Sequence, residues 1–117
     1  MKRALTLLSF GAMLAFASTA LLASGNAESG KQKAAVCFAC HGKDGNSVAP
    51  QYPRLAGQYN EYLQQVLHEY KDGRRKNAIM VGMDAALSDQ DIEDIAAYFS
   101  SQPTKMSTLE GHISGDR

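Results

Sequence analysis

Apolar residues recur with helical spacing in three parts of the chain, and no window alternates with the two-residue period of a strand. The clearest stretch is 58–72, where Tyr59, Tyr62, Leu63, Val66, Leu67 and Tyr70 follow i, i+3, i+4, i+7, i+8, i+11 and make one continuous face. Gly57 precedes it, and Gly73 supplies a stop, because glycine enters the left-handed conformation that ends a helix without strain. A second helix is predicted over 89–101. Ser88 is its N-cap, with Asp91 three residues on in a capping-box arrangement, and Pro103 prevents continuation. Ile92, Ile95, Ala96 and Phe99 share one side of it. A shorter Ala/Lys-rich helix is predicted over 28–37. Two long loops remain: 42–56 with Gly42, Gly45, Pro50 and Pro53, and 74–87 with Gly82 and two methionines. Loops longer than about 12 residues are uncommon in so small a domain unless they are functional. The expected architecture is all-α, with about three main helices and two long loops folded around something.

A different apolar pattern opens the chain. Lys2 and Arg3 precede a run over 4–22 that is apolar apart from Thr6, Ser9, Ser18 and Thr19, and small residues follow through Ala27. This is the layout of a secretory signal peptide, with cleavage after Ala20, Ala23 or Ala27. A retained membrane anchor competes, since about 19 apolar residues just span a bilayer. No basic stop-transfer cluster follows, which favours export to the periplasm. The expected organisation is a leader over 1–23, a working domain over 24–103 and a mobile polar tail over 104–117.

Composition narrows the functions. A chain of 117 residues excludes a multi-domain enzyme, and 12 Lys+Arg against 12 Asp+Glu removes the electrostatic case for binding nucleic acid. Loss of Lys2 and Arg3 with the leader leaves 10 basic residues against 12 acidic. Two cysteines do not make a disulfide scaffold. A domain this small buries only about 60 % of its unfolded surface, so a bound cofactor would help to fill its centre.

The chemistry concentrates in Cys37-Phe38-Ala39-Cys40-His41. In an exported chain, C-x-x-C-H reads as a c-type haem attachment site. Thiols at i and i+3 on a helical turn point the same way and reach the two vinyl groups on one porphyrin edge. The next residue, His41, then offers an imidazole to the iron. Three other readings compete. A disulfide oxidoreductase usually has a strand before its motif, and none precedes Cys37. A zinc site needs about four ligands, whereas only His68 and His112 remain and neither has ligand spacing. A structural disulfide has no use for the adjacent histidine. For the iron's other face the chain offers Met80, Met83, Met106, His68 and His112. Met106 and His112 fall in the tail, and His68 lies beside the apolar face of its helix. Met80 and Met83, in a glycine-containing loop free to fold over a ring, are the better candidates.

These stretches resemble class I c-type cytochromes, in particular the small monohaem proteins similar to one half of cytochrome c4. The resemblance is carried by residues 35–42 around the cysteines, Asp44-Gly45-Asn46-Ser47, and Pro53-Arg54-Leu55-Ala56-Gly57-Gln58. It continues in Met80-Val81-Gly82-Met83, Leu87-Ser88-Asp89 and Ile95-Ala96-Ala97-Tyr98-Phe99. It implies one covalent haem c with its iron held by His41 and Met80, and Met83 packed beside the ring as the second choice of ligand. It also implies a proline carbonyl that accepts a hydrogen bond from the ligand imidazole, best matched by Pro50, with Pro53 the alternative. Tyr52, Leu55, Tyr59, Leu63, Ile79 and Phe99 are expected near the ring. The first and last helices are expected to cross at Ala34, Ala35, Ala96 and Ala97. Unlike cytochrome c4, this chain holds a single haem motif.

His/Met ligation fills both axial positions of the iron, which suits an electron carrier and not an enzyme. Lys71, Arg74, Arg75 and Lys76 form a basic cluster opposed by Asp84, Asp89, Asp91, Glu93 and Asp94. It is either a solvated helix end or a surface that orients a redox partner. The resemblance implies a cytochrome bc complex as electron donor and a haem–copper terminal oxidase as acceptor, with the carrier a monomer or weak dimer. The alternatives are a haem subunit of a larger dehydrogenase or oxidase, a ligand-binding haem sensor, and a haem-free thiol oxidoreductase.

Overall fold

The structure is a computed structural model that describes residues 25–105, so the leader and the tail candidates Met106 and His112 lie outside the described residues. Helix α1 spans Ala27–Lys33, and the Asn26 side chain caps it by accepting from the Ser29 N–H at 2.9 Å. A 3-10 turn, Ala34–Cys37, leads into the single turn α2, Phe38–His41. Helices α3, Asn60–Lys71, and α5, Asp89–Ser100, match the two strongest periodic stretches, and Ser88 with Asp91 forms the expected capping box. Among the described residues there is no strand, and no helix is long and apolar enough to cross a membrane.

The second long loop is a correction. Its middle is a helix, α4, Ala78–Asp84. The Asn77 side chain starts it, accepting from the Ile79 N–H at 3.1 Å and the Met80 N–H at 3.2 Å. Ile79, Val81 and Gly82 are all weak helix formers, which hides the element from a pattern reading.

Helices α1 and α5 cross closely. A Cβ added to Gly30 would lie 1.9 Å from the Asp94 carbonyl oxygen, so only glycine admits this approach. Ala34 and Ala96 are buried at the crossing, whereas Ala35 is exposed and Ala97 half-buried, which corrects half of the expected alanine contact. A polar clasp sits beside it. Lys33 donates to Asp94 at 2.7 Å and lies 2.8 Å from Asp91, while the Asn26 N–H donates to Asp94 at 2.7 Å. The core is Ala34, Leu63, Ile95, Ala96, Tyr98 and Phe99, with Phe38, Leu55 and Leu67 packed against it. Phe38 meets Phe99 edge-on, with centroids 6.4 Å apart. Tyr98 ties the core to the first loop by donating to the Lys43 carbonyl at 2.6 Å.

Tyr59 departs from the periodic face of α3. It occupies the N-cap position with extended ψ, outside the helical register, and is 80 % exposed. The last described residues, within the stretch expected to be a tail, contact the first loop. The Lys105 N–H donates to Asn46 at 2.7 Å, and the Asn46 amide donates to the Pro103 carbonyl at 3.0 Å, so the chain past Pro103 is held to the first loop.

Candidate functional site

The first loop is shaped before it meets the site. The Gly45 carbonyl accepts from both the Leu55 and the Ala56 N–H, at 2.7 and 3.0 Å, which closes residues 45–56 into a ring. Gly45 has φ +73°, and a Cβ there would meet Phe99 at 2.7 Å. The Ser47 and Val48 N–H groups donate back to the His41 and Cys40 carbonyls, so this loop also satisfies the end of α2.

His41 is buried, and its Nδ1 lies 2.8 Å from the Pro53 carbonyl oxygen. That oxygen can only accept, so Nδ1 carries the proton and Nε2 is left with a free lone pair for a metal. Here the structure corrects the expected proline. Pro50 is exposed at the tip of the turn closed by the Tyr52 N–H and the Ala49 carbonyl, whereas Pro53 passes beside the ring. The Tyr52 ring stands edge-on to His41, with centroids 6.4 Å apart.

A cavity of about 390 Å³ opens in front of these residues. Its walls bring Cys37, Cys40, His41, Tyr52 and Pro53 together with Tyr70, Asn77, Ile79, Met80 and Met83, and with Val36 and Gln51. A smaller apolar recess of about 60 Å³ is walled by Leu55, Leu63, Val66, Leu67, Ile95 and Phe99. Cys37, His41 and Met80 line both spaces. Met83 lines the outer one alone and is 49 % exposed. Of the expected neighbours, Tyr52, Leu55, Leu63, Ile79 and Phe99 line these spaces and Tyr59 does not. Val36, Gln51, Val66, Leu67, Tyr70, Asn77 and Ile95 were not expected there; of these, the capping chemistry of Asn77 was a readable signal.

The surroundings of Cys37 do not favour a redox or zinc thiolate. Burial, and then the nearby Asp84 carboxyl and Cys40, push the Cys37 thiol up from its ordinary value, away from a reactive thiolate. His68 points elsewhere: its Nδ1 is 3.9 Å from Asp89 on the outer side of α3 and α5, and it lines neither space.

Two thiols one turn apart, an imidazole with a free Nε2, a thioether lining the same space and an apolar recess behind them fit a covalently attached haem. The fold and this donor set define a c-type cytochrome. The chain belongs to the cytochrome c family, whose model matches residues 27–103, and Cys37 and Cys40 attach one haem c with its iron. It is 58 % identical over 91 residues to cytochrome c4 of Pseudomonas aeruginosa, covering 78 % of this chain and 45 % of that protein. It is 50 % identical to cytochrome c-554(548) of Halomonas halodenitrificans, covering 68 % of this chain and 99 % of that one. Reduced recombinant cytochrome c4 from Pseudomonas stutzeri superposes with a TM-score of 0.65 at 54 % identity, over 68 % of this chain and 47 % of that structure. The chain thus spans about half the length of the cytochromes c4 it matches.

Proposed function

We propose that this chain carries single electrons between redox proteins in the periplasm, through a haem iron ligated by His41 and Met80. The observation that carries the ligand pair is that His41 and Met80, with Cys37, line both the outer cavity and its apolar recess. When bound, the haem supplies a one-electron ferric/ferrous couple. The chain's own residues do the rest. Cys37 and Cys40 anchor the ring, Pro53 orients His41, and the recess formed by Leu55, Leu63, Ile95 and Phe99 keeps water away. Pro53 also fixes the imidazole tautomer and raises its basicity.

A filled axial pair leaves no position for oxygen or a substrate, so no bond is made or broken in a second molecule. The leader pattern over 1–23 supports export. A cytochrome bc complex as donor and a haem–copper terminal oxidase as acceptor are the partners proposed, and membership in the cytochrome c family supports redox proteins of this kind. Exposure of the reduced protein to carbon monoxide at neutral pH tests the closed site. An unchanged ferrous spectrum is expected; rapid formation of a carbonyl adduct would favour the sensor reading instead.

A further inference from the structure

We propose that Asn77 is the positioning residue for Met80: by capping α4 it fixes the backbone from which that thioether reaches the iron. The inference rests on the His41/Met80 reading and adds which residue holds the second ligand in place. Asn77 lies three residues before Met80 and lines the outer cavity with it. Its Oδ1 accepts from the Ile79 N–H and from the N–H of Met80 itself. Its own carbonyl accepts from the Val81 N–H at 2.9 Å. One residue thereby holds three consecutive amides, and the first two have no carbonyl of their own helix to donate to.

Little else in the chain holds α4 at that end. The helix has 7 residues, too few to be stable by its own backbone bonds. Val81 is exposed, and a Cβ added at Gly82 would meet nothing within 4 Å. Ile79, Met80 and Met83 line the cavity, which leaves the chain's own hold on α4 to its two ends. The buried residue of α4 is Asp84, whose carboxylate oxygens have no hydrogen-bond partner, so burial there works against the helix. The exit is fastened: the Leu87 N–H donates to the Asp84 carbonyl at 3.0 Å, and Lys71 of α3 donates to the Leu87 carbonyl at 2.5 Å. The entry depends on Asn77, and the entry turn is the one that carries Met80. Asn26 is the contrast. It caps α1 in the same way, accepting from the Ser29 N–H, but no residue of α1 lines either space.

The test is displacement of Met80 from the ferric iron by added imidazole, read as loss of the thioether–iron absorption band. It compares wild-type, Asn77→Ala, Asn77→Ser and Asn26→Ala holoprotein. Imidazole binds only the molecules whose thioether has left, so its apparent affinity reports their fraction. Loss of an N-cap shifts such an equilibrium by about 2- to 30-fold, and Asn77→Ala should bind imidazole more tightly by that factor. Asn77→Ser restores a cap without the amide and should return the affinity to within about twofold of wild type. Asn26→Ala should lower resistance to denaturant and leave imidazole affinity unchanged. Equal affinities in wild type and Asn77→Ala would overturn the assignment. So would an Asn77→Ser variant that behaves like Asn77→Ala, which would make the amide itself the acting group. An equal rise in Asn26→Ala would overturn it too, by making the effect one of global stability. If Asn77→Ala does not accumulate, hydrogen exchange in wild type decides. The Ile79 and Met80 amides should be protected alongside that of Val81, and exchange at the rate of a free peptide rejects the cap. Failure of the underlying ligand reading looks different: the band would survive in Met80→Ala, and this inference would fall with it.

Discussion

His41 Nδ1 and the Pro53 carbonyl oxygen lie 2.8 Å apart, and this contact fixes which imidazole nitrogen faces the cavity. It also makes the ring a stronger donor, which favours the ferric state.

Replacing Pro53 therefore has a direction. Pro53→Ala keeps the carbonyl but frees the backbone that aims it, so the hydrogen bond weakens and the reduction potential rises. The rise should stay below the ~59 mV that a tenfold change in a one-electron equilibrium represents. Pro50→Ala, at an exposed turn tip, should leave the potential unchanged. Potentiometric titration of the two variants separates the prolines.

The clasp between α1 and α5 makes the fold acid-sensitive. Lys33 holds Asp91 down at about 2, from an ordinary 3.8, and holds Asp94 lower still. Both folded values are depressed, so the stabilisation is complete above about pH 4 and is lost as pH falls through the folded values. Denaturant unfolding should show stability declining between about pH 4 and 2, with a flatter profile in Lys33→Met. Asp94→Ala should cost about 1.5–3 kcal/mol at pH 7, because the buried carboxylate also accepts from the Asn26 N–H.

Asp84 carries the opposite sign. It is 1 % exposed, and neither carboxylate oxygen has a hydrogen-bond partner. Burial raises it above the ordinary 3.8. A raised folded value means that stability present at low pH is lost as pH rises through it. Asp84→Ala removes that loss and adds a good helix former, so stability at pH 7 should increase by about 1 kcal/mol. The difference from wild type should shrink as the pH is lowered, and a constant difference would show the carboxyl to be uncharged throughout.

Much of this molecule was legible before its fold was. Helix α5 could be read because Ser88, Asp91, Ile92, Ile95 and Phe99 agree on cap and face. The attachment motif is local chemistry within one turn, so Cys37, Cys40 and His41 needed no tertiary information. Helix α4 was missed because its stability comes from the Asn77 cap and its position over the cavity, against the propensities of Ile79, Val81 and Gly82. Pro50 and Pro53 could not be separated by residue type. The ring of hydrogen bonds from Gly45 to Leu55 and Ala56 decides which carbonyl passes His41, and those contacts are long-range. Gly30 likewise gives no local sign of the close helix crossing it permits.

The ligand pair is tested most directly by the absorption band that a thioether–iron bond gives near the red end of the spectrum of the oxidised protein. Wild type and Met83→Ala should both show it, because Met83 lines only the outer space, and Met80→Ala should lose it. A band that survives in Met80→Ala and disappears in Met83→Ala would contradict the His41/Met80 assignment.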